Sequence, residues 1–212
     1  MALSFKVKAI SRSRFLRNVF LTSVFILSFL LLFPACSQKI YNTPDVPGFQ
    51  TSDYEPLAIN ARKLVIIQNW KMPAVEPFKE HLIQPNPASV LSEWASNTLQ
   101  PAGSSGELTL DIRKASIIIT DIQQADSLAN QFKDNQQKRI EVEMAGQLMW
   151  IQPVTSQTGF LDARSISSTT VAESSTTAEF DAAVQETILA VLAGFDRKLR
   201  EEIENLNGML LR

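Results

Sequence analysis

Cysteine and histidine are almost absent from this sequence, which has one of each, Cys36 and His81, in 212 residues. A single cysteine excludes a disulfide within the chain and a zinc site built from cysteines. A single histidine excludes any mechanism that needs two imidazoles. The sequence also lacks a Gly-x-Ser-x-Gly turn, a Gly-Lys-Ser/Thr phosphate loop and acidic residues at EF-hand spacing. The most recognisable sites for hydrolysis, nucleotide binding and calcium binding are therefore missing, and no cofactor is expected.

Acidic residues are missing from the first 35 positions, which carry five basic ones: Lys6, Lys8, Arg12, Arg14 and Arg17. The rest of the chain therefore has 15 of the 20 basic residues and all 22 acidic residues, a formal charge of −7. A nucleic-acid-binding protein needs a basic face to replace the counterions of phosphate groups. The charge distribution thus predicts that nucleic acid is not a partner.

The basic start of the chain is followed by an uncharged apolar run of fifteen residues, Val19–Phe33. A basic segment, a short apolar core and a small residue before the cut are typical of a secretory signal peptide. The run is shorter than the roughly 20 residues that span a bilayer comfortably. We therefore predict a signal peptide over residues 1–35.

The sequence "LFPAC" before and at Cys36 resembles the processing site of a bacterial lipoprotein, where lipid is attached to the cysteine through a thioether. This resemblance implies a membrane anchor at Cys36, with diacylglyceryl and palmitate chains. Ser37 follows the cysteine where an aspartate would signal retention in the inner membrane, so the resemblance favours the outer membrane. Two alternatives remain open: cleavage after Ser37, which would release a soluble protein, and an unprocessed segment that stays as an anchor.

Residues 36–56 are rich in proline and have no sustained period, which is typical of a flexible tether. Residues 57–212 are then predicted to form a single periplasmic domain. Its first element is a buried strand over Ile59–Trp70, and a helix follows that is capped by Asn86 and has Pro87 at its first position. The alternating "ELTLDI" predicts a strand that continues through Ile117–Ile119.

Two more strands and a long helix complete the predicted domain. "RIEVEM" alternates as a half-exposed antiparallel strand does, and "FLDARSISSTTVAES" predicts a fourth strand. The last helix begins at the capping box Thr176–Glu179 and ends near Gly208, with an apolar stripe at intervals of three or four residues. The order β-α-β-β-β-α predicts an α+β two-layer sandwich: a mainly antiparallel sheet of about four strands with two helices on one face.

Candidate sites for chemistry are few. Glu141 and Glu143 lie on one strand face and could act as an acid–base pair, but their alternation with Arg139 favours a solvated face. Three tryptophans, Trp70, Trp94 and Trp150, lie in or at the ends of apolar elements and are expected in the core. We therefore predict that the protein is not an enzyme.

The segment Lys71–Pro87 is the region that we expect to contact a partner. Four prolines in 17 residues exclude a helix or a central strand. The segment nevertheless carries apolar side chains without a period, together with the lone histidine; the candidate contact residues are Met72, Val75, Phe78, His81, Leu82 and Ile83. The alternative is a lid that buries these side chains over the sheet edge.

Several segments together resemble a group of functionally uncharacterised lipoproteins of Gram-negative bacteria. The matching pieces are "VEPFKEHLIQPNP", "LSEWA", "DIRKASIIITDI", "FKDNQQKRIEVEM", "RSISSTTVAES" and "ILAVLAGFDRKLREEI". The resemblance implies location in the envelope and brings no activity. More distantly, the size and architecture are similar to those of the auxiliary lipoproteins of ABC-type envelope transporters.

These observations favour a lipid-anchored, non-catalytic binding or assembly module on the periplasmic side of the cell envelope, with an envelope protein as partner. An accessory lipoprotein of an ABC-type lipid transporter is the second hypothesis. A hydrolase with an unrecognised site is the third.

Overall fold

Three strands of sixteen residues each form the centre of the protein in the computed structural model, which describes residues 53–122 and 137–211. The predicted signal peptide, Cys36, most of the predicted tether and the polar residues 123–136 lie outside the described residues. The elements are β1 (Leu57–Ile59), β2 (Lys63–Gln68), α1 (Pro87–Thr98), β3 (Leu99–Pro101), β4 (Glu107–Ile122), β5 (Gln137–Gln152), β6 (Gln157–Ala172) and α2 (Thr177–Glu204). None of the described helices is long and apolar enough to span a bilayer.

The main sheet has the strand order β2-β4-β5-β6. β4, β5 and β6 form an antiparallel meander, and the pairing of β5 with β6 runs from Gln137 opposite Ala172 to Gln152 opposite Gln157 without a shift. β2 is parallel to β4, which the crossover through α1 permits. The predicted α+β sandwich, with a mainly antiparallel sheet of four strands, is confirmed.

The single strand expected over Ile59–Trp70 is wrong in detail, because the structure divides it into β1 and β2. β1 leaves the main sheet and pairs in parallel with β3, a short strand directly after α1. The chain turns between the two strands, where the amide of Ala61 donates to the carbonyl of Ile59 at 2.8 Å. Apolar content alone does not reveal this turn, since both halves are apolar.

The first helix, α1, begins where the sequence predicted. The side chain of Asn86 accepts a hydrogen bond from the amide of Ser89 at 2.9 Å, and Pro87 takes the first helical position. Both features satisfy or remove amides that have no partner inside the helix. Val90, Leu91 and Trp94 are buried against the sheet.

The second helix, α2, has the predicted capping box, in which Thr176 and Glu179 bond reciprocally. Its apolar stripe faces β5 and β6, and the buried part of the stripe comprises Val184, Ile188, Val191, Phe195, Leu199 and Ile203. The ring of Phe195 meets Trp94 of α1 edge-on, with centroids 5.5 Å apart. The backbone at Gly146 passes below the same ring, and a Cβ there would lie 3.5 Å from it. One core therefore joins both helices to the inner face of the sheet.

Two of the three tryptophans are core residues, as predicted. Trp94 is fully buried and donates from Nε1 to Asp196 at 3.1 Å. Trp150 donates from Nε1 to the carbonyl of Asn60 at 2.8 Å, which ties β5 to the turn after β1. Trp70 is only half-buried, because it follows β2 at the edge of the sheet.

Candidate functional site

Residues 69–86 join β2 to α1 and form an irregular segment, which we call the strap. It contains no regular element except a single turn of 3-10 helix at Glu80–Leu82. The structure separates the six candidate contact residues into two groups. Four are exposed and two are half-buried; the exposed ones are Met72, Val75, His81 and Leu82, and the half-buried ones are Phe78 and Ile83.

The strap is fixed to the sheet by backbone hydrogen bonds. β2 ends opposite Ile112, so the second half of β4 has no strand beside it on that edge. The strap takes this place: the amide of Lys79 donates to the carbonyl of Ile117 at 2.8 Å, and the amide of Ile119 donates to the carbonyl of Pro77 at 3.2 Å. Phe78 lies opposite Ile118 in this short antiparallel contact, and its ring is 6.3 Å from that of Trp70.

One side chain of the strap itself, Glu80, is a buried carboxyl group. Glu80 is 0% exposed, and its Oε2 accepts a hydrogen bond from the amide of Ile117 at 3.3 Å. That amide would otherwise be an unpaired donor of β4, so the side chain replaces the missing strand at this point. Sequence reasoning missed Glu80, since its burial depends on where β2 ends, and nothing in the local sequence marks that position.

Three buried polar atoms have no hydrogen-bond partner within the described residues: Trp70 Nε1 and Glu80 Oε1 in the strap, and Ser116 Oγ on β4. A buried polar atom without a partner costs about 1–3 kcal/mol. The strap therefore covers the edge of β4 but leaves two of its own polar atoms without a partner among the described residues.

The outer face of the sheet, opposite the helices, carries a charged cluster around Glu143. Arg164 Nε lies 2.6 Å from its Oε1, and Lys114 Nζ lies 2.5 Å from its Oε2. Burial raises the pKa of Glu143, but the hydrogen bonds from Lys114 and Arg164 and their positive charges outweigh it, so the pKa lies below the ordinary 4.5. Glu143 is therefore ionised at neutral pH.

This cluster corrects the expectation of a solvated strand face. Ile140, Val142 and Met144 do point into the core, but Glu143 is also buried, and it pairs with Lys114 and Arg164 on the two neighbouring strands. Glu141 pairs instead with Arg139 at 3.2 Å. The two glutamates therefore have different ion-pair partners.

A second polar group lies next to it on the outer face. Asn69 Nδ2 donates to Asp111 Oδ1 at 2.7 Å, and Arg113 Nε lies 3.2 Å from Asp111 Oδ2. On the neighbouring strands, Gln147 Nε2 donates to Asp162 Oδ1 at 3.0 Å. The middle of the outer face is thus a network of paired charges.

The outer face becomes apolar near the β5–β6 turn. Met149, Ile151 and Phe160 are exposed there and border a shallow cavity of about 440 Å³. A further cavity of about 750 Å³ adjoins Ile151 on the other side and is lined by Lys63, Ser105 and Glu107 among others. Within the part of the chain that the structure describes, no group of three His, Cys, Asp or Glu residues could hold a metal ion.

Comparison with known proteins adds little to this description. No family model matches the chain, and no curated protein is significantly similar to it in sequence. Among solved structures, a DUF330 protein from Xanthomonas campestris is 13% identical, with a TM-score of 0.30, 71% of this chain covered and 95% of that chain covered. A neuraminyllactose-binding hemagglutinin homolog from Helicobacter pylori is 12% identical, with a TM-score of 0.32 and coverages of 72% and 87%. Likenesses this distant carry no argument about function.

Proposed function

We propose that this protein is a lipid-anchored, non-catalytic binding module on the periplasmic side of the cell envelope, and that its strap contacts an envelope protein. The observation that carries the proposal is the pair of strongly exposed apolar side chains on the strap, Val75 at 61% and Leu82 at 65%. Their partner would present an apolar surface of its own, since burial of such side chains is the main gain on contact.

The strap is suited to binding because its backbone is already held in place. The hydrogen bonds to Ile117 and Ile119 fix it from one side, Ile83 packs against the core, and the ring of Phe78 lies 6.3 Å from that of Trp70. A segment ordered before contact loses less conformational entropy when a partner binds. Met72, Val75 and Leu82 are thereby presented outward from an ordered support.

The anchored location rests on the sequence. The basic start, the apolar run before Cys36 and the lack of a second cysteine support lipid attachment at that thiol. Mass spectrometry of the mature N-terminus tests this part. A thioether-linked diacylglyceryl group on Cys36 is expected, and an unmodified chain that starts at Gln38 would refute the anchor.

Site-specific photocrosslinking in intact cells tests the strap as the contact surface. A photoreactive residue at position 75 or 82 is expected to capture the same envelope protein. The same probe at Lys198, an exposed position on α2, is the matched control and should not capture it. With the photoreactive residue at position 75, replacement of Met72 and Leu82 by serine should abolish the product. Equal capture from all three positions, or none from the strap, would overturn the proposal.

A second candidate is an accessory subunit of an envelope lipid transporter. The observation that favours it is the apolar cavity beside Met149, Ile151 and Phe160, which could accept part of an acyl chain. The full chain, extracted in mild detergent, should then retain phospholipid, and Met149→Ser should reduce the amount. A lipid-free preparation would exclude this function and leave the first proposal intact.

A further inference from the structure

The open edge of β6 is unusual for a strand of its length. β6 pairs with β5 along all sixteen residues, and none of the described elements lies along its other side. A long edge strand exposes a row of unpaired amides and carbonyls, and proteins usually protect it with proline, lysine, a bulge or a short length. β6 contains no proline or lysine, and its register with β5 has no shift. Its charged residues, Asp162 and Arg164, are opposite in sign, so β6 has neither these usual protections nor a net charge that would repel a second strand.

The side chains of β6 on the outer face are arranged symmetrically about Ala163. Asp162 precedes Ala163 and Arg164 follows it, so an acid and a base flank the centre. One step further out on that face are two apolar residues, Phe160 and Ile166, and the next step gives two hydroxyl residues, Thr158 and Ser168. Residues two apart on a strand share a face, so all six lie on the same side of the sheet.

We infer that β6 pairs with β6 of a second copy of this chain, antiparallel and centred on Ala163. In this register Asp162 lies opposite Arg164 of the second copy, and Phe160 lies opposite Ile166 of the second copy. Thr158 then faces Ser168 of the second copy. Each contact occurs twice because the pairing has two-fold symmetry, and it closes at two copies. Directly opposed side chains in an antiparallel pair are within contact distance.

The groups that would meet are accessible. The side chains of Asp162 and Arg164 are 62% and 63% exposed, and Phe160 is 72% exposed. Arg164 uses Nε for Glu143, and the described contacts of Asp162 use Oδ1. The terminal nitrogens of Arg164 and the second oxygen of Asp162 therefore remain for a charge-assisted hydrogen bond across the seam, by which we mean the contact between the two β6 strands.

Face and direction are also compatible. A two-fold axis perpendicular to the sheet keeps the outer faces of both copies on one side and both α2 helices on the other. The two four-stranded sheets would join into one sheet of eight strands. A slip by one residue would oppose side chains of different faces and is excluded by this symmetry. The charge match selects the register among the others, since a slip by two residues would place Asp162 opposite Asp162 or Arg164 opposite Arg164 of the second copy.

Charge reversal tests the pairing with the full chain in detergent, under reducing conditions that prevent a disulfide through Cys36. The mass of the protein part is measured by sedimentation or light scattering over a range of concentrations. The unaltered chain should be a dimer. Asp162→Arg and Arg164→Asp each place like charges opposite one another twice, and should raise the dimer dissociation constant about 10- to 100-fold.

Two combinations distinguish contact between copies from damage within one copy. The double variant, Asp162→Arg with Arg164→Asp, restores opposite charges across the seam and should restore the dimer. Within one copy the double variant puts a base beside Arg113 and an acid beside Glu143. If the single variants weakened the dimer only through damage within one copy, the double variant would therefore form the weakest dimer of all. A mixture of the two single variants, each with a different tag, should give heterodimers even though neither associates alone.

The remaining outcomes overturn the inference. They are a monomer for the unaltered chain at every concentration, a dimer that is insensitive to both reversals, an assembly larger than two, or a double variant as weak as the single ones. None of these results depends on the strap or its partner, so this inference and the proposed function fail separately.

Discussion

At one edge of the four-stranded sheet the strap covers the backbone of β4, and at the other edge no described strand lies along the outer side of β6. On the covered edge β2 is only six residues long and carries Lys63, and the strap continues along β4 where β2 ends. On the open edge neither a short length nor a proline protects the strand. The two edges of the sheet therefore differ: one is covered by the chain itself, and the other is open among the described residues.

The difference shows what covering an edge requires. The strap supplies an amide to the carbonyl of Ile117 and a carbonyl to the amide of Ile119. Glu80 adds a carboxylate oxygen, which accepts from the amide of Ile117. Such coverage uses eighteen residues and leaves two buried polar atoms of the strap, Trp70 Nε1 and Glu80 Oε1, without a described partner. A second copy covers β6 with backbone groups that are already in strand geometry, without extra sequence.

The largest expected effect on stability comes from replacing a phenylalanine by alanine at the covered edge, and the same replacement at the open edge is its control. Phe78→Ala removes a ring that packs under the strap against Trp70, and we expect the free energy of unfolding to fall by about 2–3 kcal/mol, at or below the lower end of the range for buried phenylalanine. Phe160→Ala on the open edge should change it by less than about 0.5 kcal/mol in the single copy. Urea unfolding at concentrations too low for self-association, followed by tryptophan fluorescence, measures both. Equal losses would remove the contrast between the edges.

The next effect tests the carboxylate of the covered edge. Glu80→Ala leaves the amide of Ile117 without an acceptor, and should lower the free energy of unfolding by about 1–3 kcal/mol. Glu80→Gln keeps an acceptor oxygen and should cost less. Glu76→Ala, at an exposed position of the same strap, is the control and should cost under about 0.5 kcal/mol. If the alanine variant at position 80 is as stable as the unaltered chain, Glu80 does not hold the edge.

A smaller effect concerns the outer face between the edges and depends on pH. The pKa of Glu143 is lower in the folded protein than the ordinary 4.5, so its stabilising contribution is complete above that value and is lost as the pH falls through the folded pKa. Glu143→Gln should therefore flatten the loss of stability as the pH falls below 4.5. Lys114→Gln removes one of the two cations and should flatten it partly. The free energy of unfolding is measured across this pH range for the unaltered chain and both variants. Equal slopes for all three would contradict the assignment.

The smallest effect on stability is expected at the exposed strap residues. Val75→Ser and Leu82→Ser should each change the free energy of unfolding by less than about 0.5 kcal/mol, because their side chains are mostly in solvent. Each should nevertheless reduce crosslinking from a probe at the other position to the proposed envelope partner. A large loss of stability in either variant would mean that the strap serves as a lid rather than a contact surface.

The elements that could be predicted from sequence are those with local signals. The capping box at Thr176, the Asn86–Pro87 start of α1 and the alternation along β4 and β5 each act within a few residues. The division between β1 and β2 and the parallel pairing of β2 with β4 could not be predicted, since they depend on segments far apart in sequence.

The candidate site shows the same limit. The prolines predicted an irregular strap, but the burial of Glu80 requires the position at which β2 ends. The burial of Glu143 requires Lys114 and Arg164, which reach it from the two neighbouring strands. In the strap, Val75 and Phe78 are equally apolar in sequence, and only the contact of Phe78 with the edge of β4 separates the exposed residue from the anchoring one.

Disulfide crosslinking across the proposed seam tests the contrast between the edges most directly. In a full chain with Cys36→Ser, the variants Thr158→Cys and Ser168→Cys are mixed and mildly oxidised. Cross-strand neighbours about 4.5–5.5 Å apart are within reach of a disulfide. The register centred on Ala163 predicts rapid formation of a heterodimer by this pair and much slower formation when Val171→Cys, on the opposite face, replaces Ser168→Cys. Equal rates for both pairs, or no crosslink in either, would contradict the pairing of β6 with a second copy.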